Sequence, residues 1–463
     1  MHDLDLIIQN GEVVNSDRRF KADVGIKNGK IAEIAENLST DRIEVIDAKN
    51  MFLFPGGIDV HVHNNYYFCG THSENWDSTT AGGACGGVTT FIDFAIQEKG
   101  STLQKAVENR IAEAKDQVCI DYSLHGGITD WNEKTREEMS FYAGHGIPSF
   151  KMWSTYRKEG IMADDAAVFE ALEETKKCGA LLMLHAESDT IMNLLIARYH
   201  TEVMMKKYGA YCHTLSRPDF TEYEAVQRAA TWAEVTGGRL YFVHISSGRG
   251  ADIIARKKAS GVKIWAETCP QYLLLTDSIF KNKEGHYYAT CPQVKKKWDN
   301  DKILEQLKAG GIQILSTDTC TFTTEQKNMW EGDFTKIPYG LPGMETRIPT
   351  MFTFLVGKNN FSLKKFISLV STNPAKLFGL YPEKGVIQVG SDADIVIFDP
   401  VKKVNVDYKN LVTKCDWSPF QGMKLTGYPY ITISRGRIIA REGEFLGNPG
   451  WGCFLARKPN GVI

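Results

Sequence analysis

Short segments of alternating apolar and polar residues occupy both ends of the chain. At the beginning, DLIIQNGEVVN, ADVGIKNGKIAEI and RIEVIDA are interrupted by Asn-Gly dipeptides, a pattern typical of strands joined by hairpin turns. The same texture returns in ADIVIFDP and ITISRGRIIAREGEF, where Arg435-Gly436-Arg437-Ile438 is similar to Asn28-Gly29-Lys30-Ile31. We therefore expect residues 1–54 and 382–447 to build one β-sandwich domain together.

The middle of the chain, residues 55–381, changes to short apolar strands that alternate with helical stretches. This alternation is the pattern of parallel βαβ units, and eight such strands close a barrel. The predicted fold class is α/β, a (β/α)8 TIM-type barrel that carries the β-sandwich. The eight predicted strands span residues 56–63, 88–94, 119–126, 147–153, 181–187, 239–246, 262–267 and 311–318.

Two of the intervening helices carry recognisable end signals. Asp164 is placed to cap a helix that Gly179 ends, because a short acidic side chain suits a helix start and glycine suits its end. Thr221 and Glu224 form a capping-box pattern, which predicts that the next helix starts after Thr221.

Composition and charge exclude several classes of partner. The 463 residues are 43% hydrophobic and 24% charged, with a formal net charge of only -2, so no global field favours nucleic acid or a membrane surface. No segment has the length of a membrane span, and the N-terminus lacks the features of a secretory signal. The ten cysteines show no CxxC pair, as expected for thiols in a reducing cytoplasm.

Histidines and an aspartate cluster at the predicted ends of barrel strands. His61 and His63 flank Val62, and period-two alternation points both imidazoles to the same face. His185, His244 and Asp318 end strands five, six and eight, at the face where such barrels place their active sites. Each histidine taken alone is more often structural than catalytic. Their shared location indicates a metal site, with Zn as the first choice and Mn, Fe or Co as alternatives.

Lys151, in SFKMW at the end of strand four, points toward the same mouth. The ordinary explanation for a buried lysine is a salt bridge, here with Asp318. Beside two divalent metals, however, burial and charge would both favour the neutral amine. A neutral amine can add carbon dioxide, and the resulting carbamate can bridge two metal ions.

With these residues in place, the chain resembles the dihydropyrimidinase and hydantoinase family of the amidohydrolase superfamily, especially its phenylhydantoinase-like members. The resemblance runs essentially from end to end. It rests on the motifs GGIDVHVH, SFKMWSTY, LHAES, VHISS, ETCPQYLLL, STD and GDFTKIP, which occur in the family order.

The resemblance implies a cyclic-amide hydrolase with two divalent metal ions and a carboxylated Lys151. One ion would be held by His61, His63, Lys151 and Asp318, and the other by Lys151, His185 and His244. Asp318 would act as the catalytic base and Tyr156 would hydrogen-bond the developing oxyanion; the alternative for Tyr156 is a packed aromatic on the loop. Backbone groups at Cys291 and Tyr339 would bind the substrate.

Three positions depart from the family pattern around this pocket. Cys291 begins CPQVK where the family has Ser-Pro-Pro-Leu-Arg, Tyr339 stands in place of asparagine, and Thr319 stands in place of histidine. The expected reaction is hydrolysis of a dihydropyrimidine or 5-substituted hydantoin to an N-carbamoyl amino acid. The departures leave open an allantoinase-like, imide or purine-ring-opening activity. A non-catalytic scaffold of the same fold is the alternative from another class.

Four smaller expectations concern the cavity wall, the other histidines, the assembly and the tail. The aromatic residues Tyr66, Tyr67, Phe68 and Trp153 could wall the exocyclic substituent, and His72, His125 and His213 are interpreted as structural or surface histidines. Family members are commonly homotetramers, with a homodimer as the alternative. The tail 448–463 could dock on a neighbouring subunit.

Overall fold

Eight parallel strands form the centre of the molecule in the computed structural model, which describes residues 4–39 and 43–463. Each strand is hydrogen-bonded to the next in chain order, which confirms the predicted barrel. The strands are β1 Gly57–Val62, β2 Val88–Ile96, β3 Asp121–Gly127, β4 Ser149–Trp153, β5 Leu181–His185, β6 Leu240–Phe242, β7 Ile264–Thr268 and β8 Ile314–Leu315.

The barrel closes between β1 and β8. Val62 forms a parallel bridge with Thr319 just beyond β8. Lower down, the fully buried Arg347 donates its Nη1 to the carbonyls of Ile58 at 2.9 Å and Leu315 at 2.8 Å. A buried guanidinium thus supplies hydrogen bonds that the two end strands do not make to each other.

Apolar side chains fill the barrel interior, as expected for a packed core rather than a pore. They alternate along the strands with residues that face the helices. The interior set includes Ile58, Val60, Ile92, Phe94, Leu181, Met183, Tyr241, Val243, Trp265 and Ile314.

Helices cover the outside of the barrel and connect its strands. The longer ones are Trp76–Cys85, Leu103–Ala114, Glu133–Gly144, Asp165–Cys178, Asp189–Tyr199, Asp219–Thr236, Gly248–Ala259 and Lys297–Ala309. Shorter helices are Glu202–Tyr208, Tyr211–Ser216, Gln271–Leu274, Thr324–Asn328, Arg347–Met351, Leu363–Ile367 and Asn373–Leu377. Within the described chain, no helix combines the length and apolar character needed to cross a membrane.

One predicted helix boundary is correct and one is wrong. The Asp164 side chain accepts from the Ala167 amide and Gly179 ends the helix at φ 72°, as the capping pattern predicted. The helix predicted to start after Thr221 instead starts at Asp219. Thr221 lies inside its first turn, where its hydroxyl donates to the Pro218 carbonyl.

Strands from both ends of the chain combine beside the barrel. A seven-stranded sheet contains, in spatial order, Glu444–Phe445, Arg437–Arg441, Lys424–Ser434, Ile395–Asn405, Phe52–Pro55, Glu12–Val14 and Arg19–Lys21. A four-stranded sheet contains Lys30–Ala35, Asp23–Lys27, Leu6–Gln9 and Glu44–Asp47. Their shared apolar core mixes early residues such as Ile8 and Val24 with late residues such as Ile395 and Ile433.

The domain boundaries at residues 54 and 382 stay predictions. Residues 1–3 and 40–42 of the first predicted segment lie outside the described residues.

The two similar turns noted in the sequence pack against each other. Asn28-Gly29 and Arg435-Gly436 are two-residue hairpin loops in which both residues have positive φ, the conformation that matches strand twist. A Cβ atom at Gly29 would lie 3.1 Å from the Arg435 carbonyl oxygen. A side chain at Gly29 would therefore be both strained and crowded.

The tail runs along the amino-terminal ends of the barrel strands of its own chain. The Leu455 amide donates to Tyr122 at 2.7 Å, and Phe454 bridges the same residue. Arg457 is 2% exposed and donates to the hydroxyls of Ser123 and Ser149, both at 2.8 Å. The tail thus closes the barrel end opposite the predicted site, and its predicted role at a subunit interface stays a prediction.

A buried ion cluster joins the barrel to the sheets. Lys384 Nζ lies 2.7 Å from Asp121 Oδ2, 2.7 Å from Asp394 Oδ2 and 3.0 Å from Asp392 Oδ2. Lys384 and Asp121 are almost fully buried. The neighbouring carboxylates raise the pKa of Lys384 above its usual range although burial, the largest influence, acts to lower it.

We expect Lys384→Met to lower the free energy of unfolding by about 3–5 kcal/mol, because it leaves buried carboxylates without their cation. Chemical denaturation measures this loss. Lys458→Met is the matched control, since Lys458 pairs with Glu383 at the surface and such pairs contribute little. Equal stability of the two variants would show that the buried cluster is dispensable.

Candidate metal centre and active site

All nine residues predicted for the site line one cavity at the carboxyl-terminal mouth of the barrel. The cavity has a volume of about 630 Å³ including its opening. The nine are His61, His63, Lys151, Tyr156, His185, His244, Cys291, Asp318 and Tyr339. The structure thus brings together residues that range from His61 to Tyr339 in the sequence.

Three side chains already have the spacing of a metal site. Ligand atoms of His61, His63 and Asp318 all lie within 4.8 Å of one another. His61 Nε2 is 3.2 Å and His63 Nε2 is 3.5 Å from Asp318 Oδ1. Yet the buried His61 Nε2 makes no hydrogen bond in the described structure. A buried imidazole nitrogen without a hydrogen-bond partner in the protein is what is expected of a nitrogen that binds a metal ion.

The other two histidines continue the cluster. The ring centroid of His244 lies 5.3 Å from that of His61 and 4.7 Å from that of His185. Burial lowers the pKa of all three imidazoles, so they are neutral near pH 7. Neutral imidazole is the form that binds a metal ion.

Lys151 lies among these residues without a salt bridge. It is 1% exposed, and its Nζ faces the rings of Phe94 and Trp153 at 5.2 and 5.6 Å. In the part of the chain that the structure describes, no carboxylate lies within 4.0 Å of this nitrogen, so the salt bridge to Asp318 is not formed. Burial lowers the pKa of Lys151 to about 8, which increases the share of neutral amine that can react with carbon dioxide.

Two carboxylates that the sequence analysis missed hold the histidines. Glu267 hydrogen-bonds His61 Nδ1, and Glu187 Oε2 lies 2.8 Å from His185 Nε2. Glu187 is itself paired with Arg217 at 2.7 Å. A carboxylate on the second ring nitrogen orients a ligating histidine. The signal was present in the sequence, because Glu187 and Glu267 end the predicted strands 181–187 and 262–267, at the same face as the histidines.

We expect Glu267→Gln to weaken metal binding about 10–100-fold, because His61 loses the carboxylate that orients it. Competition with a chromogenic chelator measures the affinity. Glu138→Gln is the control, since Glu138 is also buried but accepts from the Leu103 amide, away from the cavity. Unchanged affinity in Glu267→Gln would remove Glu267 from the account of the site.

Three site residues have backbone conformations that alternation along a strand does not predict. Tyr156, His244 and Asp318 have φ values of 72°, 39° and 55°, in a region that costs energy for residues other than glycine. β6 and β8 end earlier than predicted, so His244 and Asp318 lie beyond the strands. Since Val243 already faces the interior, the turn at His244 brings a second consecutive side chain inward.

A bulge in β1 has a similar effect at His61. The strand pairing jumps from Phe91 opposite Asp59 to Asp93 opposite Val62, so β1 contains one extra residue. Val60 can then belong to the barrel interior while the adjacent His61 lines the cavity. Bulges commonly redirect side chains next to active sites.

Tyr156 stands beside the histidines as a neutral phenol. Its ring centroid is 5.1 Å from that of His185. Burial raises the pKa of Tyr156 above its ordinary range, so the hydroxyl keeps its proton and can donate a hydrogen bond. Nearby, the Tyr339 ring stacks on the His213 ring with their centroids 4.8 Å apart. His213, which the sequence indicated to be structural, therefore lies behind Tyr339 in the cavity wall.

The remaining predicted residues lie in the cavity wall, in the buried interior or at the surface. Tyr66, Phe68 and Trp153 line the cavity, whereas Tyr67 is 62% exposed outside it. Thr319 turns away, and its hydroxyl donates to Thr317 at 2.7 Å. His125 is buried beneath the site against Ser149 and Val60, and His72 is exposed.

A parallel barrel with histidines, a lysine and an aspartate converging on its carboxyl-terminal mouth defines the class of this protein. Residues 52–439 match the model of the amidohydrolase family, and the chain belongs to that family.

Related proteins are similar to this chain over nearly its whole length. A D-hydantoinase of Geobacillus stearothermophilus is 39% identical over 99% of this chain and 97% of its own. The crystal structure of dihydropyrimidinase from Brevibacillus agri NCHU1002 gives a TM-score of 0.96 at 35% identity, covering 99% of both chains. An L-hydantoinase (dihydropyrimidinase) from Arthrobacter aurescens gives 0.89 at 32% identity, covering 98% of this chain and 100% of that one.

Proposed function

We propose that this chain hydrolyses the cyclic amide bond of a cyclic ureide, a dihydropyrimidine or a 5-substituted hydantoin, to give an N-carbamoyl amino acid. The observation that carries the proposal is the convergence of six potential metal ligands with Tyr156, Cys291 and Tyr339 in one cavity. The hydantoinase and dihydropyrimidinase relatives support the substrate class.

Two divalent ions, most consistent with Zn, would be held by the six ligands. His61, His63 and Asp318 would serve one ion and His185 and His244 the other, with carboxylated Lys151 shared between them. When bound, two such ions lower the pKa of a water molecule and polarise the amide carbonyl. The unpaired Lys151 and the unbonded His61 Nε2 support this assignment.

Asp318 and Tyr156 would perform the proton and charge steps. As the water oxygen bonds to the carbonyl carbon, Asp318 accepts its proton. Tyr156 donates a hydrogen bond to the oxygen on which negative charge develops. When the C–N bond breaks, Asp318 returns the proton to the leaving ring nitrogen. The product carries a new carboxylate at one end and the carbamoyl group at the other.

A ring-opening assay with product masses tests the proposal. Metal-replete, bicarbonate-treated protein is given dihydrouracil, hydantoin, phenylhydantoin, allantoin, succinimide and oxidised purines. We expect each hydrolysed dihydropyrimidine or hydantoin to gain the mass of one water. Turnover of only allantoin, imides or purines would assign the chain a different substrate class. The differences from the family pattern at Cys291, Tyr339 and Thr319 would then be the first candidates for its cause. No turnover together with no bound metal would support the scaffold alternative.

The assembly and location are also proposed. A homotetramer follows from the resemblance, with a homodimer as the alternative, and sedimentation distinguishes them. All ten cysteines are free thiols, which supports the proposed cytoplasmic location.

A further inference from the structure

A fully buried lysine lies behind the cavity wall and has no role in the proposed chemistry. Lys327, in the short helix Thr324–Asn328, is 0% exposed. The rings of Phe322 and Trp417 lie 5.6 and 6.0 Å from its Nζ. Among the residues described, no carboxylate comes within 4.0 Å of this nitrogen. A buried amine without a counter-charge is costly, so its hydrogen bonds need an explanation.

Lys327 Nζ donates to two backbone carbonyls, Pro338 at 2.6 Å and Gly340 at 2.7 Å. These two carbonyls flank Tyr339, which lines the cavity together with Gly340. One buried side chain therefore fixes the backbone on both sides of a cavity residue.

Because the peptide bond is planar, these contacts determine where the N–H and C=O of Tyr339 point. In a trans peptide the N–H points opposite to the C=O, so the Tyr339 N–H points away from Lys327. The Gly340 amide donates to the Ala289 carbonyl at 2.9 Å, which turns the Tyr339 carbonyl away from Ala289. Neither the N–H nor the C=O of Tyr339 makes a hydrogen bond to any described residue. Tyr339 thus offers one free donor and one free acceptor.

The Cys291 side of the cavity has the same arrangement. His213 Nε2 lies 2.9 Å from the Thr290 carbonyl, and the Tyr272 hydroxyl donates to the Pro292 carbonyl at 2.7 Å. The backbone N–H and C=O of Cys291 between them have no partner within residues 4–39 and 43–463. Two short backbone segments are therefore held from behind, and each presents unused polar groups. A ring amide, which has its own donor and acceptor, is complementary to such groups.

We propose that Lys327 is a positioning residue for substrate recognition, holding the Pro338 and Gly340 carbonyls so that the Tyr339 peptide groups bind the ring amide of the substrate. This inference rests on the proposed function. It also explains why the side-chain change to Tyr339 is compatible with the same recognition, since the groups that Lys327 orients belong to the backbone.

Steady-state kinetics on a hydantoin that the wild-type chain opens, with metal content measured on every sample, test the proposal. Lys327→Met removes both hydrogen bonds and keeps the apolar stem. Lys327→Gln keeps a nitrogen that can donate hydrogen bonds and serves if the methionine variant fails to fold. Lys336→Met is the matched control, because Lys336 lies nearby in sequence with a side chain that is 62% exposed.

We expect KM to rise about 10–100-fold in Lys327→Met, with a smaller change in kcat and full metal content, because a displaced backbone weakens binding. Lys327→Gln should fall between this variant and wild type, and Lys336→Met should match wild type. A KM within about twofold of wild type in folded Lys327→Met, or in Lys327→Gln where the methionine variant does not fold, would overturn the proposal, as would loss of metal in step with activity. A wild-type chain that opens no cyclic ureide would overturn the proposed function as well.

Discussion

Replacing Lys151 with alanine is expected to abolish ring opening and to reduce the bound metal to less than two ions per chain. Lys151 is the one residue that the proposed centre shares between both ions, and it lies buried at the mouth without a salt bridge. Removing its carbamate would leave one ion with three ligands and the other with two. Elemental analysis and the ring-opening assay measure the two losses on the same sample.

Short carboxylic acids give this prediction its specificity. Acetate or propionate should partly restore both metal and activity in Lys151→Ala, since a free carboxylate can take the place of the carbamate between the ions. Lys158→Ala is the control, because Lys158 is exposed on the loop that follows. Retained metal with no response to carboxylic acids would contradict the carbamate.

Replacing Asp318 with asparagine is expected to reduce kcat by at least about 10²–10⁴-fold, because asparagine keeps the size of the side chain but cannot accept the proton of the water. The Asp318 carboxylate lies 3.2 and 3.5 Å from the nearest histidine nitrogens, so the substitution also removes a ligand charge. Kinetics at saturating metal separate the two effects, since added metal restores occupancy but not the base.

The exposed Asp301 provides the control for this substitution. Asp301 pairs with Lys297 on the helix surface, so Asp301→Asn should leave kcat unchanged. If Asp318→Asn kept more than a tenth of the wild-type kcat at saturating metal, another group would have to carry the proton.

The sequence pattern was sufficient to predict the architecture because strand alternation is a local property. Residues 181–185, for example, place Leu181 and Met183 in the barrel interior and end with His185 at the mouth. Parallel strands of a barrel share one carboxyl-terminal face, so ligands at strand ends had to meet.

The geometry around His61, His244 and Asp318 was beyond such reasoning. A bulge in β1 and positive φ values at the other two positions turn these side chains toward the cavity. These features depend on hydrogen bonds to distant segments. The Glu267 carboxylate, for instance, accepts from the backbone amide of His244 at 3.2 Å. Local periodicity contains no information about such partners.

The second layer of the site was also missed for a physical reason. Glu267 contacts His61, which lies 206 positions earlier, and Glu187 is paired with Arg217, which lies 30 positions later. A buried charge is recognisable in a sequence only when its partner is known. The start predicted for the helix Asp219–Thr236 was wrong for a simpler reason. The Thr221 hydroxyl donates to the Pro218 carbonyl and does not accept from a backbone amide of the first turn.

Titration of metal into metal-free, bicarbonate-treated protein, with ring opening measured at each addition, tests whether hydrolysis requires two bound ions. We expect activity on a hydantoin or dihydrouracil to rise with added Zn and to reach its maximum at two ions per chain. Full activity with one ion or none, or two tightly bound ions with no hydrolysis of any cyclic ureide, would contradict this expectation.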